Sequence, residues 1–296
     1  MAIVFGRSRL NRISGKKRKL IPIRVKEFPK FIIESYKRFK VLKRPDSGGR
    51  TFHLCFFSCQ SYFRYLYCSL HSLTKHLNGI AVKVLVFNDE DQPLSAAQIA
   101  AIEALIPGTR IISWPKSMGW GAKQIGNIWN AYGLAAAGAE DNDIIARVDS
   151  DVFFFNDTIF RAISRSDADL IGDGHFVGFK YCQGGCYFFR ADAVKKINAM
   201  IASVGMDSLL NESGIGVEDV AAYHFAKRLN LNIWLPWFMM FPDELKNAGG
   251  LTAWYRWKFS CLHFVMKNKS AMLEAYGREV FKGEIPSQYQ RALQIE

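Results

Sequence analysis

Between residues 51 and 155 the hydrophobic pattern changes period repeatedly, from the two-residue beat of a strand to the 3.6-residue beat of a helix and back. "FHLCFFSC" (52–59) reads as a buried strand, and "SYFRYLYCSLHSLTKHLNG" (61–79) as a helix closed by Asn78-Gly79. "IAVKVLVFND" (80–89) is a second strand. It is followed by "SAAQIAAIEALIPG" (95–108), a helix that Ser95 caps and Pro107-Gly108 stops. A third strand (109–114), a third helix (121–138) and a fourth strand, "DIIARVDSDVFFF" (143–155), complete the series. Strands alternating with helices need crossover connections, which run right-handed and build a mostly parallel sheet flanked by helices. The expected fold class is therefore α/β.

The fourth strand is chemically odd. It places Asp149 and Asp151 in an apolar run, and a buried carboxylate is costly unless it is paired, hydrogen-bonded or bound to a cation. Residues i and i+2 of an extended segment point the same way, so the two acids can face one ligand, with Ser150 pointing opposite. A polar turn whose Asp and Ser side chains bond local backbone is the alternative. Ligands of open α/β sheets gather at the carboxyl ends of strands, where these acids stand. No G-x-G-x-x-G follows the first strand, so the dinucleotide-binding version is not supported.

Charge divides the chain unevenly. The net charge is +12, yet residues 1–50 hold 16 Lys/Arg against 3 Asp/Glu, leaving 23 against 24 for the remainder. This marks 1–50 as a basic N-terminal arm and 51–296 as a single, nearly neutral domain. Within the arm, "KEFPKFIIESYKRFKVLKR" (26–44) sets Phe28, Phe31, Ile32, Phe39 and Leu42 near one helical face among basic residues. Such a helix reads as a membrane-surface element, the alternatives being a solubilising tail or a helix packed on the domain. The apolar run at the start is too short and too soon interrupted by charge for a secretory signal. No run reaches the roughly 18–20 apolar residues of a membrane span; "IWLPWFMMF" (233–241) is short and contains Pro236. The six cysteines, at 55, 59, 68, 182, 186 and 261, sit in hydrophobic segments and read as buried thiols of a reducing compartment. The C-x3-C pairs Cys55/Cys59 and Cys182/Cys186 also raise a zinc reading, although structural zinc sites favour tighter knuckles.

Beyond Phe155 strands are expected at 168–179 and 181–190, around Gly184-Gly185, with helices at 191–205 and 217–230. The second of these helices opens on Glu218 and Asp219. The aromatic-rich stretch 251–270, which holds His263, has strand-like composition. Asp149-Ser150-Asp151, Gly184-Gly185, Glu218-Asp219 and His263, in that order after a βαβαβαβ half, resemble the GT-A fold of nucleotide-sugar-dependent glycosyltransferases, of the type that builds bacterial cell-surface polysaccharides. The resemblance covers roughly 52–265 and implies a Rossmann-like sheet with a smaller acceptor-side part. The first strand lacks the Gly-rich G-x-G-T-R-type loop of sugar nucleotidyltransferases, which argues against nucleotide-sugar synthesis.

The resemblance implies roles for particular residues. Asp151 and His263 would hold Mn²⁺ or Mg²⁺, because a departing nucleoside diphosphate builds negative charge that a divalent cation neutralises. Hard oxygens suit either ion, and an imidazole ligand favours Mn²⁺. Asp149 would contact the donor's ribose or sugar. Lys123 and Asn127, spaced i and i+4 on one helical face, would reach the donor phosphates and sugar, and Asp89 a nucleobase. Gly184-Gly185 would form the acceptor-side loop, Asp219 would be the general base of an inverting transfer, and Glu218 an acceptor contact. Each also has a plain structural reading: a strand histidine, solvated helix and loop residues, a hairpin turn, and acids favoured by the helix dipole.

The expected activity is metal-dependent transfer from a nucleotide sugar, UDP-linked by default, to a glycan or lipid-linked glycan at the inner face of the cytoplasmic membrane. Two rivals are a basic-armed nucleic-acid-binding α/β protein and a noncatalytic GT-A scaffold. The neutral body has no basic stripe interleaved with aromatics, so no nucleic acid is expected. The intact D-S-D and E-D oppose the scaffold.

Overall fold

The computed structural model describes residues 28–45, 48–77, 79–115, 122–174, 181–213, 215–242, 256, 258–265 and 268–295. The alternating half forms as its pattern dictates: β1 (Phe52–Ser58), α2 (Phe63–His76), β2 (Val82–Asp89), α3 (Ala96–Leu105), β3 (Arg110–Trp114), α4 (Ala122–Ala137) and β4 (Ile144–Asp149). Every residue of β1 is buried. A strand covered on both faces has no polar side to alternate with, hence its unbroken apolar run. Ser95 caps α3 through a reciprocal box, its Oγ accepting from the Gln98 N–H while Gln98 Oε1 accepts from the Ser95 N–H.

After β4 come β5 (Val152–Phe154), α5 (Thr158–Ser164), β6 (Leu170–Gly172), β7 (Cys186–Arg190), α6 (Ala191–Val204), α7 (Met206–Ser213), α8 (Glu218–Arg228), β8 (Ile233–Trp234), β9 (Met239–Met240) and β10 (Cys261–His263). The seven-stranded sheet has the order β3-β2-β1-β4-β7-β6-β8. Strands β3, β2, β1 and β4 pair in parallel, β7 runs antiparallel to both β4 and β6, and β6 is parallel to β8. The chain leaves β1 for β2 and β3 on one side and returns on the other as β4. The carboxyl ends of β1 and β4 therefore flank the topological switch point, where open α/β sheets bind ligands.

Three expectations need correction. The single strand at 143–155 is two strands in different sheets. Beyond Asp149 the chain bends at Ser150, whose Oγ donates to the Phe57 carbonyl at 3.1 Å, and β5 joins a smaller sheet of order β5-β10-β9. The bend was hidden because the buried apolar run resumes at once in Val152, Phe153 and Phe154. The strand at 168–179 shortens to Leu170–Gly172, with 175–180 outside the described residues. In 251–270 the described strand is confined to Cys261–His263, while Arg256 and Lys258 are helical. The aromatic side chains there fill a third core cluster with Phe259, Phe264, Met272 and Tyr276 without lining up in one strand.

Two short helices, α9 (Ala271–Tyr276) and α10 (Ser287–Leu293), follow the small sheet. Tyr276 anchors α9 to α2, its hydroxyl 2.6 Å from Nδ1 of buried His71. Burial pulls the His71 imidazole down to about 4, with Lys75 adding to the effect, so the pair is neutral near pH 7. All six cysteines are buried free thiols.

The arm contributes a helix, α1 (Phe28–Leu42), lying against α5. Arg38 is turned inward and donates to the Trp237 carbonyl at 3.4 Å. Burial lowers its guanidinium to about 10 against the opposing pull of Asp173. Arg50 donates to the carbonyls of Ile163 and Ser166 at the carboxyl end of α5, at 2.9 and 2.8 Å. The outward face carries Ile32, Ile33, Tyr36 and Phe39, exposed by 49, 54, 57 and 45%. Of the expected stripe, Leu42 is half-buried, and the side chains of Phe28 and Phe31 lie outside the described residues, as does everything before Phe28. Among the described residues, no helix is long and apolar enough to cross a membrane.

Candidate active site

Asp149 ends β4 and Asp151 follows the bend, so the convergence of the two carboxylates comes from the crossing between sheets rather than from one strand's pleat. The partner they share is His263, the last residue of β10, which pairs with Val152 of β5. His263 Nε2 lies 3.2 Å from Asp151 Oδ1 and 3.7 Å from Asp149 Oδ2. One ligand atom from each of the three lies within 4.8 Å of the others, and among the described residues these three form the group with metal-binding geometry. Two carboxylates and an imidazole at this spacing fit a divalent cation of the Mn²⁺ type. The two C-x3-C pairs contribute no such group among the described residues.

The glycine pair makes room for this arrangement. Gly185 has φ +106, a conformation that favours glycine, and its carbonyl accepts from the Asp149 N–H at 2.7 Å. A Cβ at Gly185 would stand 2.5 Å from His263 Nδ1. At Gly184 a Cβ would stand 3.0 Å from Asp219 Oδ2, which accepts from the Gly184 N–H at 2.9 Å. The close approach that the two glycines allow is thus to His263 and Asp219.

Residues that sequence reasoning missed complete the cluster. Lys269 Nζ lies 3.2 Å from Asp151 Oδ2 and 4.0 Å from the centre of the Tyr62 ring, whose hydroxyl it also contacts. Burial alone pushes the Asp151 carboxyl up, but the His263 hydrogen bond and the Lys269 charge outweigh it and hold the group below the usual carboxylate range. Arg147 sits under Asp149, with Nε and Nη2 3.0 and 2.9 Å from Asp149 Oδ1, and its Nη1 pairs with Glu218 Oε2. It stands two residues before Asp149 in an apolar strand, and that misplaced basic residue was its sequence signal. Lys269 gave none, because it stands 118 residues from Asp151 in the sequence, among other lysines and polar residues.

Glu218 is buried and faces inward, its Oε1 accepting from the Tyr132 hydroxyl, which lies 2.7 Å from the Tyr187 hydroxyl. Asp219, half-buried beside it, accepts from Gly184 and, at 2.8 Å, from the Val220 N–H. Burial raises the Asp219 carboxyl, opposed by Arg147 and these two N–H groups and assisted by Asp149.

The remaining sequence candidates lie at the end of β2 and in the first turns of α4. Asp89 ends β2 and is buried, its Oδ1 accepting from the Asp91 N–H at 2.9 Å. Lys123 is exposed in the first turn of α4. Asn127, one turn on, donates from its side-chain nitrogen to the Pro115 carbonyl at 2.9 Å, while its own carbonyl accepts from the Trp114 indole. This ties α4 to the end of β3; residues 116–121 between them lie outside the described set.

No family model matches the chain, and no curated protein matches it in sequence. Solved structures do. The galactosyltransferase LgtC, in complex with donor and acceptor sugar analogs, aligns at 13% identity over 81% of this chain and 99% of its own, with a TM-score of 0.48. An active-site mutant of LgtC aligns at 12% identity with the same coverage and a TM-score of 0.49. The bifunctional glycosyltransferase WbbM aligns at 9% identity over 81% of this chain and 52% of its own, with a TM-score of 0.50. Together with the sheet order, the likeness to WbbM places the chain in the α/β fold of GT-A glycosyltransferases.

Proposed function

We propose that the chain is a metal-dependent glycosyltransferase that moves a sugar from a nucleotide-sugar donor, UDP-linked by default, to a glycan or lipid-linked glycan, with inversion. The observation that supports this most is the meeting of Asp149, Asp151 and His263 at the switch point of a GT-A-type sheet. Asp151 and His263 would hold Mn²⁺ or Mg²⁺, and Asp149 offers the Oδ2 that Arg147 leaves open toward the ion or the donor's sugar. A divalent cation held there would supply neutralisation of the charge that builds on the departing diphosphate. Lys269 adds a second positive charge on the same side. Lys123 and Asn127 serve the donor from the start of α4, and Asp89 from the end of β2.

Asp219 removes the proton of the acceptor hydroxyl as the new bond to the anomeric carbon forms and the bond to the diphosphate breaks. Each of its oxygens accepts one backbone N–H and keeps a lone pair for that proton. A carboxyl raised by burial is better matched to this task than a solvated one. Glu218 holds Arg147 and Tyr132 and acts as a supporting group in place of the expected acceptor contact. A panel of nucleotide sugars, scored for hydrolysis with Mn²⁺, tests the reading. Turnover of one donor is expected, and inertness toward all of them would refute it.

Helix α1 adds a second part to the reading. Its outward face joins Ile32, Ile33, Tyr36 and Phe39 to Lys40 and Lys43, which lie over the Tyr36 and Phe39 rings. That combination suits an anionic lipid surface at the inner face of the cytoplasmic membrane, where a lipid-linked acceptor would be met. Because Arg38 docks the helix on the domain, point changes on the outer face test this better than truncation. Ile33→Asp with Phe39→Asp should weaken binding to anionic vesicles by about tenfold or more, since burying each side chain contributes about 1.5–3 kcal/mol. Melting temperature should hold. Cosedimentation equal to the parent would rule out this contact.

A further inference from the structure

One charge beside the proposed centre is used by no step of the proposed chemistry. Arg147 lies on β4, two residues before Asp149, and joins that strand to the start of α8. Two of its nitrogens converge on Asp149 Oδ1, and the third pairs with Glu218 at the start of α8. Glu218 is in turn held by Tyr132 of α4, and Tyr132 by Tyr187 of β7. The contacts are divided in a particular way. With Oδ1 occupied by the guanidinium, the oxygen of Asp149 that faces His263 is Oδ2, at 3.7 Å. The same guanidinium fixes the first turn of α8, on which Asp219 stands next to Glu218.

We infer that Arg147 is a positioning residue: it reserves Asp149 Oδ2 for the metal or donor and, through Glu218, fixes the helix start that carries Asp219, so that both sides of the site are set by one side chain. The inference rests on the proposed metal site. A planar fork can meet two carboxylates at once in fixed directions, whereas a lysine ammonium is a single point charge on a flexible stem. The charge alone would repel a cation at Asp149, so its benefit to the site lies in orientation.

Arg147→Lys separates the two effects, because it keeps the charge and removes the fork. Mn²⁺ binding to the full chain, measured by electron paramagnetic resonance without donor or acceptor, should weaken by about tenfold, the lower end of what loss of a ligand's supporting contact costs. Glu218→Gln, which leaves Asp149, Asp151 and His263 untouched and cuts only the far anchor, should weaken it in the same direction by a smaller factor. Kinetics of the two variants should show kcat falling as well as KM rising, because Asp219 moves with the helix start. Mn²⁺ affinity equal to the parent in a folded Arg147→Lys protein overturns the inference. If that variant fails to fold, parental affinity in Glu218→Gln overturns it equally. A parent that binds no Mn²⁺ refutes the metal reading itself, and the inference with it; a parent that binds while both variants bind equally well refutes the inference alone.

Discussion

Asp151→Ala should abolish sugar transfer and, with it, the Mn²⁺-dependent binding of nucleoside diphosphate. Asp151 is the one carboxylate of the cluster that meets both His263 and Lys269, each at 3.2 Å, so its loss unties two elements of the site at once. Neutralising the departing diphosphate supplies several kcal/mol of transition-state stabilisation, which corresponds to about a thousandfold or more in rate. Isothermal titration with nucleoside diphosphate in Mn²⁺ and in EDTA measures binding apart from turnover. Asp151→Asn, which keeps the shape, separates loss of the ligand from loss of packing. Full turnover in either variant, or parental activity indifferent to EDTA, would remove Asp151 from the metal site.

Asp219→Asn should lower kcat by about 10²–10⁴-fold while donor binding survives, because the amide keeps the shape of the carboxylate but cannot take a proton. A pH signature accompanies it. Burial raises the Asp219 carboxyl above its ordinary value, and a base must be unprotonated to act, so parental turnover should fall as pH drops through that raised value. The acid limb should vanish from the residual activity of Asp219→Asn. Equal loss of donor affinity in the variant, or an unchanged acid limb, would make Asp219 a structural partner of Gly184 only.

Periodicity carried most of the alternating half. β1, α3 and β3 follow from patterns that local sequence controls, namely a fully apolar run, a Ser cap with a Pro-Gly stop, and alternation between elements. The site was legible as residue types but not as geometry. Asp149 and Asp151 were paired on the expectation of one extended strand, whereas they meet because Ser150 bends the chain onto Phe57 and sends β5 into another sheet. The Asp-Ser-Asp step read equally as a polar turn or as part of one extended strand, and the apolar run that resumes at Val152 hid the change of sheet. Arg147 was visible as an unexplained cation in a buried strand, but its partner Glu218 lies 71 residues on, a pairing that only the fold creates. Lys269 stands just before α9, which is tied to α2 through His71 and Tyr276, a placement that only the fold creates. Glu218 read as an acceptor contact or as an acid favoured by the helix dipole, and only the fold shows it buried against Arg147 and Tyr132. The exposed face of α1 keeps Ile32 and Phe39 of the expected stripe and adds Ile33 and Tyr36, while Arg38 is buried against the Trp237 carbonyl.

The central claim is that Asp151 and His263 hold a divalent cation to which the donor's diphosphate binds. Anomalous diffraction at the manganese edge, from crystals soaked with Mn²⁺ and a nucleoside diphosphate, tests it most directly. The account predicts one strong peak between Asp151 and His263, with Asp149 Oδ2 facing it and the diphosphate oxygens completing its coordination. A nucleotide bound with no ion between it and these side chains, or a manganese peak away from all three, would contradict it.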